Sequence, residues 1–238
     1  MTLNRRSAPP ILRLVLLLLT LSVLAGCSSE PSERKAFADF LQARILDKPG
    51  VRLPVPNEDD RKQFGRYAAN YDVILRYNAE MEKVLAPMKS TLQSVERMRT
   101  LDAVMNGGAT IEEARTGMAG YREQMTRQLA QSERERVALE QAEDLKTLFD
   151  AAYRRTVTDP AALVDTQIGL FEEILTHYAE LASFLDANRA VIRISGMTAQ
   201  VTDPKVQGEV QARLKAIEAM RQPMEEIQNQ LRKLVQGA

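Results

Sequence analysis

Tryptophan is absent from this 238-residue chain, cysteine and histidine occur once each, and aromatic residues make up 5% of the total. A lone cysteine cannot close an internal disulfide, so the fold has to stand on packing even in an oxidising compartment. One cysteine and one histidine are also too few for a zinc centre, which takes about four protein ligands when structural and about three when catalytic. Scarce aromatics leave little on which to stack bases or sugars. Charge of one sign is missing as well, since 32 basic residues face 32 acidic ones. Nothing in that balance marks the clustered basic surface that nucleic acid selects, and no nucleic-acid partner is expected. The sequence holds no glycine-rich phosphate loop, no Gly-x-Ser-x-Gly elbow and no calcium-loop pattern, so no cofactor is expected and the chain does not read as an enzyme.

Long apolar runs are confined to the N-terminus. Arg5, Arg6 and Arg13 precede a run from Leu14 to Leu24 broken only by Thr20 and Ser22, and the small residues Ala25 and Gly26 follow. A spanning helix needs about 20 apolar residues, roughly twice this stretch. The pattern is that of a secretory signal, residues 1–26, removed from the mature protein. Its end, Leu24-Ala25-Gly26-Cys27, resembles the lipobox of bacterial lipoproteins, in which a hydrophobic and two small residues precede an obligatory cysteine. Only a cysteine at the new N-terminus can take a thioether-linked diacylglycerol, so Cys27 is the expected lipidation site and the membrane the first expected partner. Two or three acyl chains hold a protein firmly where one does so marginally. By resemblance to enterobacterial lipoproteins, Ser28 after the cysteine implies export to the outer membrane, facing the periplasm. The competing reading is an ordinary cleaved signal that happens to end near a cysteine. A Cys27→Ala variant is expected in the soluble periplasmic fraction or uncleaved.

Removing the signal takes three of the basic residues and none of the acidic ones, a net charge of about −3, and what remains is long enough to bury a proper core. Residues 27–33 read as a short lipidated tether and 34–238 as one helical domain. Ser32 can cap the first helix, whose Phe37, Phe40, Leu41 and Ile45 recur at helical spacing up to Pro49-Gly50. Two prolines in Leu53-Pro54-Val55-Pro56 require an extended segment. Asn57 caps the next helix ahead of Glu58, Asp59 and Asp60, acids that suit the positive end of a helix dipole. Tyr71, Ile74, Asn78, Met81, Leu85, Met88, Leu92 and Val95 form a heptad seam, with a bend or break near Pro87. Asn78 is its one polar member, and Asn78→Leu is expected to raise the melting temperature if the seam is buried.

After Met105-Asn106-Gly107-Gly108, Thr110 and Glu113 have capping-box spacing for a third helix. Its stretch from Thr126 to Arg136 is so polar that it is expected to project into solvent. Val-Thr-Asp-Pro occurs at 157–160 and again at 201–204, and both copies read as helix starts. The helix after Pro160 uses Val164, Gln167, Phe171, Ile174, Tyr178, Leu181 and Leu185; the one after Pro204 runs to Leu234 and is bent by Pro223. Between them, Ala190–Ile194 and Thr198–Val201 around Ser195-Gly196 predict a hairpin. The fold class expected is all-α: an elongated antiparallel helical bundle with coiled-coil-like heptads plus a short β-hairpin near residues 190–202.

Few side chains invite chemistry. His177 lies one turn after Glu173, a pair too small for a metal site and read as an exposed contact. Glu133-Arg134-Glu135-Arg136 alternates in charge, which reads as a solvated helix face rather than a grip on a partner. Tyr67, Tyr71 and Tyr77 read as core and rim packing rather than a ligand groove.

Several runs carry a family likeness: Arg34–Gln42, Arg52-Leu53-Pro54, Lys62–Gly65, Ala142–Lys146, Phe149–Tyr153 and Val157–Ala161. They resemble the YiaF-like lipoproteins of Gram-negative bacteria, most densely before residue 66 and around 142–161. The resemblance implies an envelope lipoprotein and carries over no catalytic or binding residue. The function expected is a structural or adaptor protein that presents helix faces to an envelope protein. The alternative is a module that binds a lipid or other apolar ligand between helices, for which methionines give an adaptable interior; an envelope enzyme ranks last.

Overall fold

Phe37, Phe40 and Leu41 share one face, and in the computed structural model, which describes residues 29–196 and 198–237, that face is buried in helix α1, Glu30–Leu41. Pro31 stands in the first turn, where its missing N–H has no helical partner to lose. Ser29, not Ser32, holds the cap position; the Ser32 hydroxyl donates to the Ser29 carbonyl at 2.7 Å from inside the helix. Residues 30–33, assigned above to the tether, are therefore helical. A π turn over Gln42–Leu46 leads to the Pro49-Gly50 break. Arg155 holds that loop, its guanidinium donating to the carbonyls of Leu46 at 3.2 Å, Gly50 at 3.0 Å and Lys48.

Asn57 caps α2, Glu58–Phe64, in a reciprocal box: the Asp60 N–H donates to Asn57 Oδ1 at 2.8 Å and the Asn57 N–H to Asp60 Oδ2 at 3.1 Å. The helix does not run on to Val95 as the seam suggested. Gly65, at φ +51°, breaks it, and a 3₁₀ turn over Gly65–Tyr67 leads into α3, Ala68–Glu96. The break aims Phe64, Tyr67 and Tyr71 at α1, with ring centroids 5.3, 6.1 and 6.4 Å from that of Phe37. Pro87, by contrast, sits exposed inside α3 without ending it.

A short helix, α4 (Leu101–Asn106), was not anticipated; Thr100 caps it by accepting from the Ala103 N–H at 3.1 Å. Helix α5 then begins at Gly108 and runs to Val137. Its first turn is closed by the backbone, Ile111 N–H to Gly107 carbonyl at 3.0 Å, so Thr110 and Glu113 fall inside the helix and no capping box forms.

The second half of α5 corrects the expectation of a solvent-projecting arm. Met125 and Ser132 are buried, and Glu135 pairs with Arg76 of α3 at 2.6 Å. Helix α6, Glu143–Tyr153, packs beside it and continues through a π turn, Arg154–Thr158, directly into α7, Asp159–Ala187. Asp159-Pro160 is thus not a capped start: Asp159 is helical and no side chain caps this point. The π turn carries the chain into the proline, with the Asp159 N–H donating to the Arg154 carbonyl five residues back.

Helices α3, α5 and α7 form the antiparallel centre. The Thr91 and Tyr121 hydroxyls meet at 3.1 Å, while Arg76 reaches Glu135 at the other end of the same pair. Arg122 of α5 bridges to Asp165 and Glu172 of α7 at 2.8 and 3.0 Å. The buried face of α7 keeps Leu181 and Leu185 of the heptad read off the sequence, but nearer its start it lies one residue on, at Ile168 and Leu175. Helix α7 is touched by α4, α5, α8 and α9 and so has no single seam.

The hairpin forms as expected. Strands β1, Ile192–Ser195, and β2, Thr198–Val201, pair antiparallel with Ile192 opposite Val201 and Ser195 opposite Thr198. Asp203 then caps α8, Pro204–Ala219, accepting from the Lys205 N–H at 2.8 Å. The chain breaks at Met220 before α9, Arg221–Gln236. Pro223 cannot donate to the carbonyl of Ala219, so the single bent helix becomes two. The end of α9 lies on Gly50, where a Cβ would fall 2.2 Å from the Val235 carbonyl oxygen, and the Val51 N–H donates to Leu234 at 2.8 Å. Two apolar clusters result, one around Phe37, Tyr71, Met118, Phe149 and Ile168, the other around Leu101, Ile111, Leu181, Leu185, Ile192 and Val210.

Candidate binding groove

The packing of α5 against α6 leaves a groove between them. Leu129, Ala130 and Ala151 give it apolar wall, Thr126, Thr147 and Thr158 give it hydroxyls, and this open groove has a volume of about 910 Å³, within the range of about 300–1,000 Å³ typical of small-ligand sites. The local sequence explains the shape. Positions 126, 129, 130 and 133 fall on one stripe of α5, and 147, 151, 154 and 158 on one stripe of the α6 and π-turn run, with small or short residues at most of them.

Charge sits at the rim. Arg136 donates to Glu133 Oε2 at 3.0 Å and to Asp150, joining the two helices. The hydrogen bond from Arg136 holds the Glu133 carboxyl below the usual carboxylate range, and the Arg136 guanidinium is correspondingly raised. Tyr153 lies beneath, buried, its hydroxyl donating to Ser132 Oγ at 2.9 Å; burial raises its phenol. These groups are saturated by one another. Arg154 is different: it is exposed on the groove and pairs with no carboxylate among the described residues.

Cys27, the expected lipidation site, and Leu24, Ala25 and Gly26 before it lie outside the described residues. His177 does not meet Glu173; its Nδ1 lies 3.5 Å from Oε2 of Glu180, one turn on. Among the described residues no group of three or more His, Cys, Asp or Glu side chains could hold a metal ion, and no helix is long and apolar enough to cross a membrane. Tyr67, Tyr71 and Tyr77 are core residues, 4%, 0% and 5% exposed, and the Tyr71 hydroxyl donates to the Pro54 carbonyl at 2.8 Å. Glu133 to Arg136 is an inter-helix clasp more than a solvated face, with Glu135 bound to α3 and Arg136 to α6. Sequence reasoning missed the groove because only α5 carried a visible oddity; its other wall, Thr147 to Thr158, looks like an ordinary amphipathic helix until the two are brought together.

Residues 14–234 match the model of a family described as "Protein of unknown function (DUF3053)". The chain belongs to that family. It is also similar to the "Uncharacterized protein YiaF" of Escherichia coli strain K12 and that of Shigella flexneri, 31% identical to each over 146 residues, which is 60% of this chain. The chain spans 61% of the length of those relatives. No solved structure matches it. The family assignment agrees with the resemblance read from the α1 and α6 segments, and it brings no catalytic residue with it.

Proposed function

We propose that this member of the family is an envelope lipoprotein, held by lipid on Cys27 to the periplasm-facing side of the outer membrane, that works by binding rather than by catalysis. The groove between α5 and α6 supports this reading. An apolar wall flanked by hydroxyls, with Arg154 unpaired among the described residues at one edge, suits an amphiphile that carries an acyl chain and an anionic head. In the polar stretch from Thr126 to Arg136, expected to project into solvent, Glu135 is bound to α3 and Arg136 to α6; this favours the ligand-binding reading over the adaptor one.

The test uses Cys27→Ala protein recovered from the periplasm, titrated with a fluorescent long-chain fatty acid. Saturable binding is expected, weakened about tenfold or more, some 1.4 kcal/mol, by Ala151→Trp, which fills the groove. Absence of binding by the parent, or equal binding by the variant, would reject the ligand. If a photo-crosslinker at Leu129 then captured one envelope protein reproducibly, the groove would belong to the adaptor reading.

A further inference from the structure

We infer that the end of the bundle where α1 begins is laid against the headgroup layer of the membrane that holds the protein, with the hairpin directed away from it. This rests on the reading of Cys27 as the lipidated residue. Consecutive Cα atoms are 3.8 Å apart across trans peptides, so Cys27 and Glu30 are separated by at most about 11 Å. A seven-residue tether, as the sequence suggested, would reach about 25 Å.

The start of α1 is fastened to the body. Glu30 accepts from the Tyr67 hydroxyl at 2.5 Å and pairs with Arg66 at 3.6 Å. Arg34 reaches Asp144, at the start of α6, at 3.2 Å. Phe37, one turn further, is fully buried. A bilayer anchor at Cys27 is therefore coupled to a rigid unit through a few bonds, and the surface around it has to lie at headgroup depth. That surface is mostly polar: Ser32 and Lys35 are exposed beside Pro31, with the Arg34, Arg66 and Asp144 side chains next to them. Such side chains rest among headgroups and do not enter the acyl region.

The opposite end follows from α3. It starts at Ala68, next to Tyr67, and its 29 residues span about 43 Å. Just beyond it the Leu101 N–H donates to the Gly196 carbonyl at 3.0 Å, so the hairpin tip sits at that far end. The groove is near the anchored end, since Thr147 stands one turn along α6 from Asp144; an amphiphile could pass between groove and bilayer without crossing the periplasm.

Because a lipidated Cys27 has no thiol, a second cysteine is the only labelling site in the full-length protein. Lys35→Cys and Ser195→Cys proteins, purified from membranes, would be labelled with a fluorophore and reconstituted into phosphatidylcholine and phosphatidylglycerol vesicles containing a headgroup-linked quencher. We expect several-fold stronger quenching at position 35 than at 195. A 20-residue Gly/Ser linker inserted between Ser29 and Glu30, with a root-mean-square reach of about 25 Å, should remove most of that difference. Equal quenching at the two positions, stronger quenching at 195, or no effect of the linker overturns the proposed orientation while the lipid reading stands. Mass spectrometry of the N-terminal peptide separates the two: a peptide without lipid would overturn the anchor and the orientation together.

Discussion

Asn78 occupies the α3 seam between Ile74 and Met81, half-buried, and its Nδ2 donates to the Ile74 carbonyl at 2.9 Å. The same nitrogen lies 3.5 Å from the carbonyl of Thr156, four residues before Pro160. Proline has no N–H to return to that oxygen, so the asparagine amide serves it from a neighbouring helix. Seam logic alone predicts that Asn78→Leu raises the melting temperature. The geometry reverses the sign: leucine gains part of a side chain's burial but strands a carbonyl in the interior, and an unmade buried hydrogen bond costs about 1–3 kcal/mol. A net loss near 1 kcal/mol would lower the melting temperature by about 2–4 °C in a protein of this size. Thermal unfolding followed by circular dichroism reads it directly; a rise would mean that the Thr156 carbonyl depends on no donor from α3.

At the scale of elements, the two Val-Thr-Asp-Pro copies show how far four residues can determine a structure. At 201–204 the preceding residues are paired as strand β2, Asp203 is extended at φ −98° and ψ 118°, and its carboxylate caps α8. At 157–160 the preceding residues belong to α6 and the π turn, where Phe149, Ala152, Tyr153 and Val157 are all buried, and the helix is carried through the proline. Burial of that apolar face outweighs the local preference for a stop. Asp203→Ala should therefore cost about 1 kcal/mol as the loss of a cap, while Asp159→Ala should stay within about 0.5 kcal/mol. Urea denaturation of both variants measures the difference, and equal losses would show that Asp159 caps as well. The same contrast explains what was legible. Elements announced by backbone chemistry, namely the non-helical Leu53–Pro56 segment, the Asn57 cap and the hairpin at Gly196, stand where the residues put them. The break at Gly65 and the helix Leu101–Asn106 were not legible, because each exists to aim side chains at partners distant in sequence, whereas the break at Met220 was legible as a bend at Pro223. The groove falls in the second class: Glu133 and Arg136 were visible as an alternating charge pattern, but Asp150, Ala151 and Arg154 acquire a role only when α6 lies beside α5.

At the scale of the molecule, the two apolar clusters share their supports. Helix α5 contributes Ile111 to one and Met118 to the other, and α7 contributes Leu181 to one and Ile168 to the other. A rigid helix common to both couples them, so the chain should unfold as one unit. The tyrosines provide a probe in each. Tyr71, Tyr77 and Tyr153 belong to the first cluster and Tyr178 packs on the second. Burial raises all four phenols above their ordinary value of 10.0, that of Tyr77 to about 12. A phenol raised in the folded state contributes stability that is complete below its unfolded value and is lost as pH rises through the folded one. Stability should therefore fall from about pH 10 toward pH 12. These four tyrosinates should appear in the ultraviolet spectrum together with the loss of helical circular dichroism, in one transition. Tyr178→Phe should reduce the amplitude of that transition without adding a second. A Tyr178 signal that separates from the others, with part of the helix signal lost ahead of the rest, would mean that the hairpin end melts independently and that α5 and α7 do not transmit the stability of one cluster to the other.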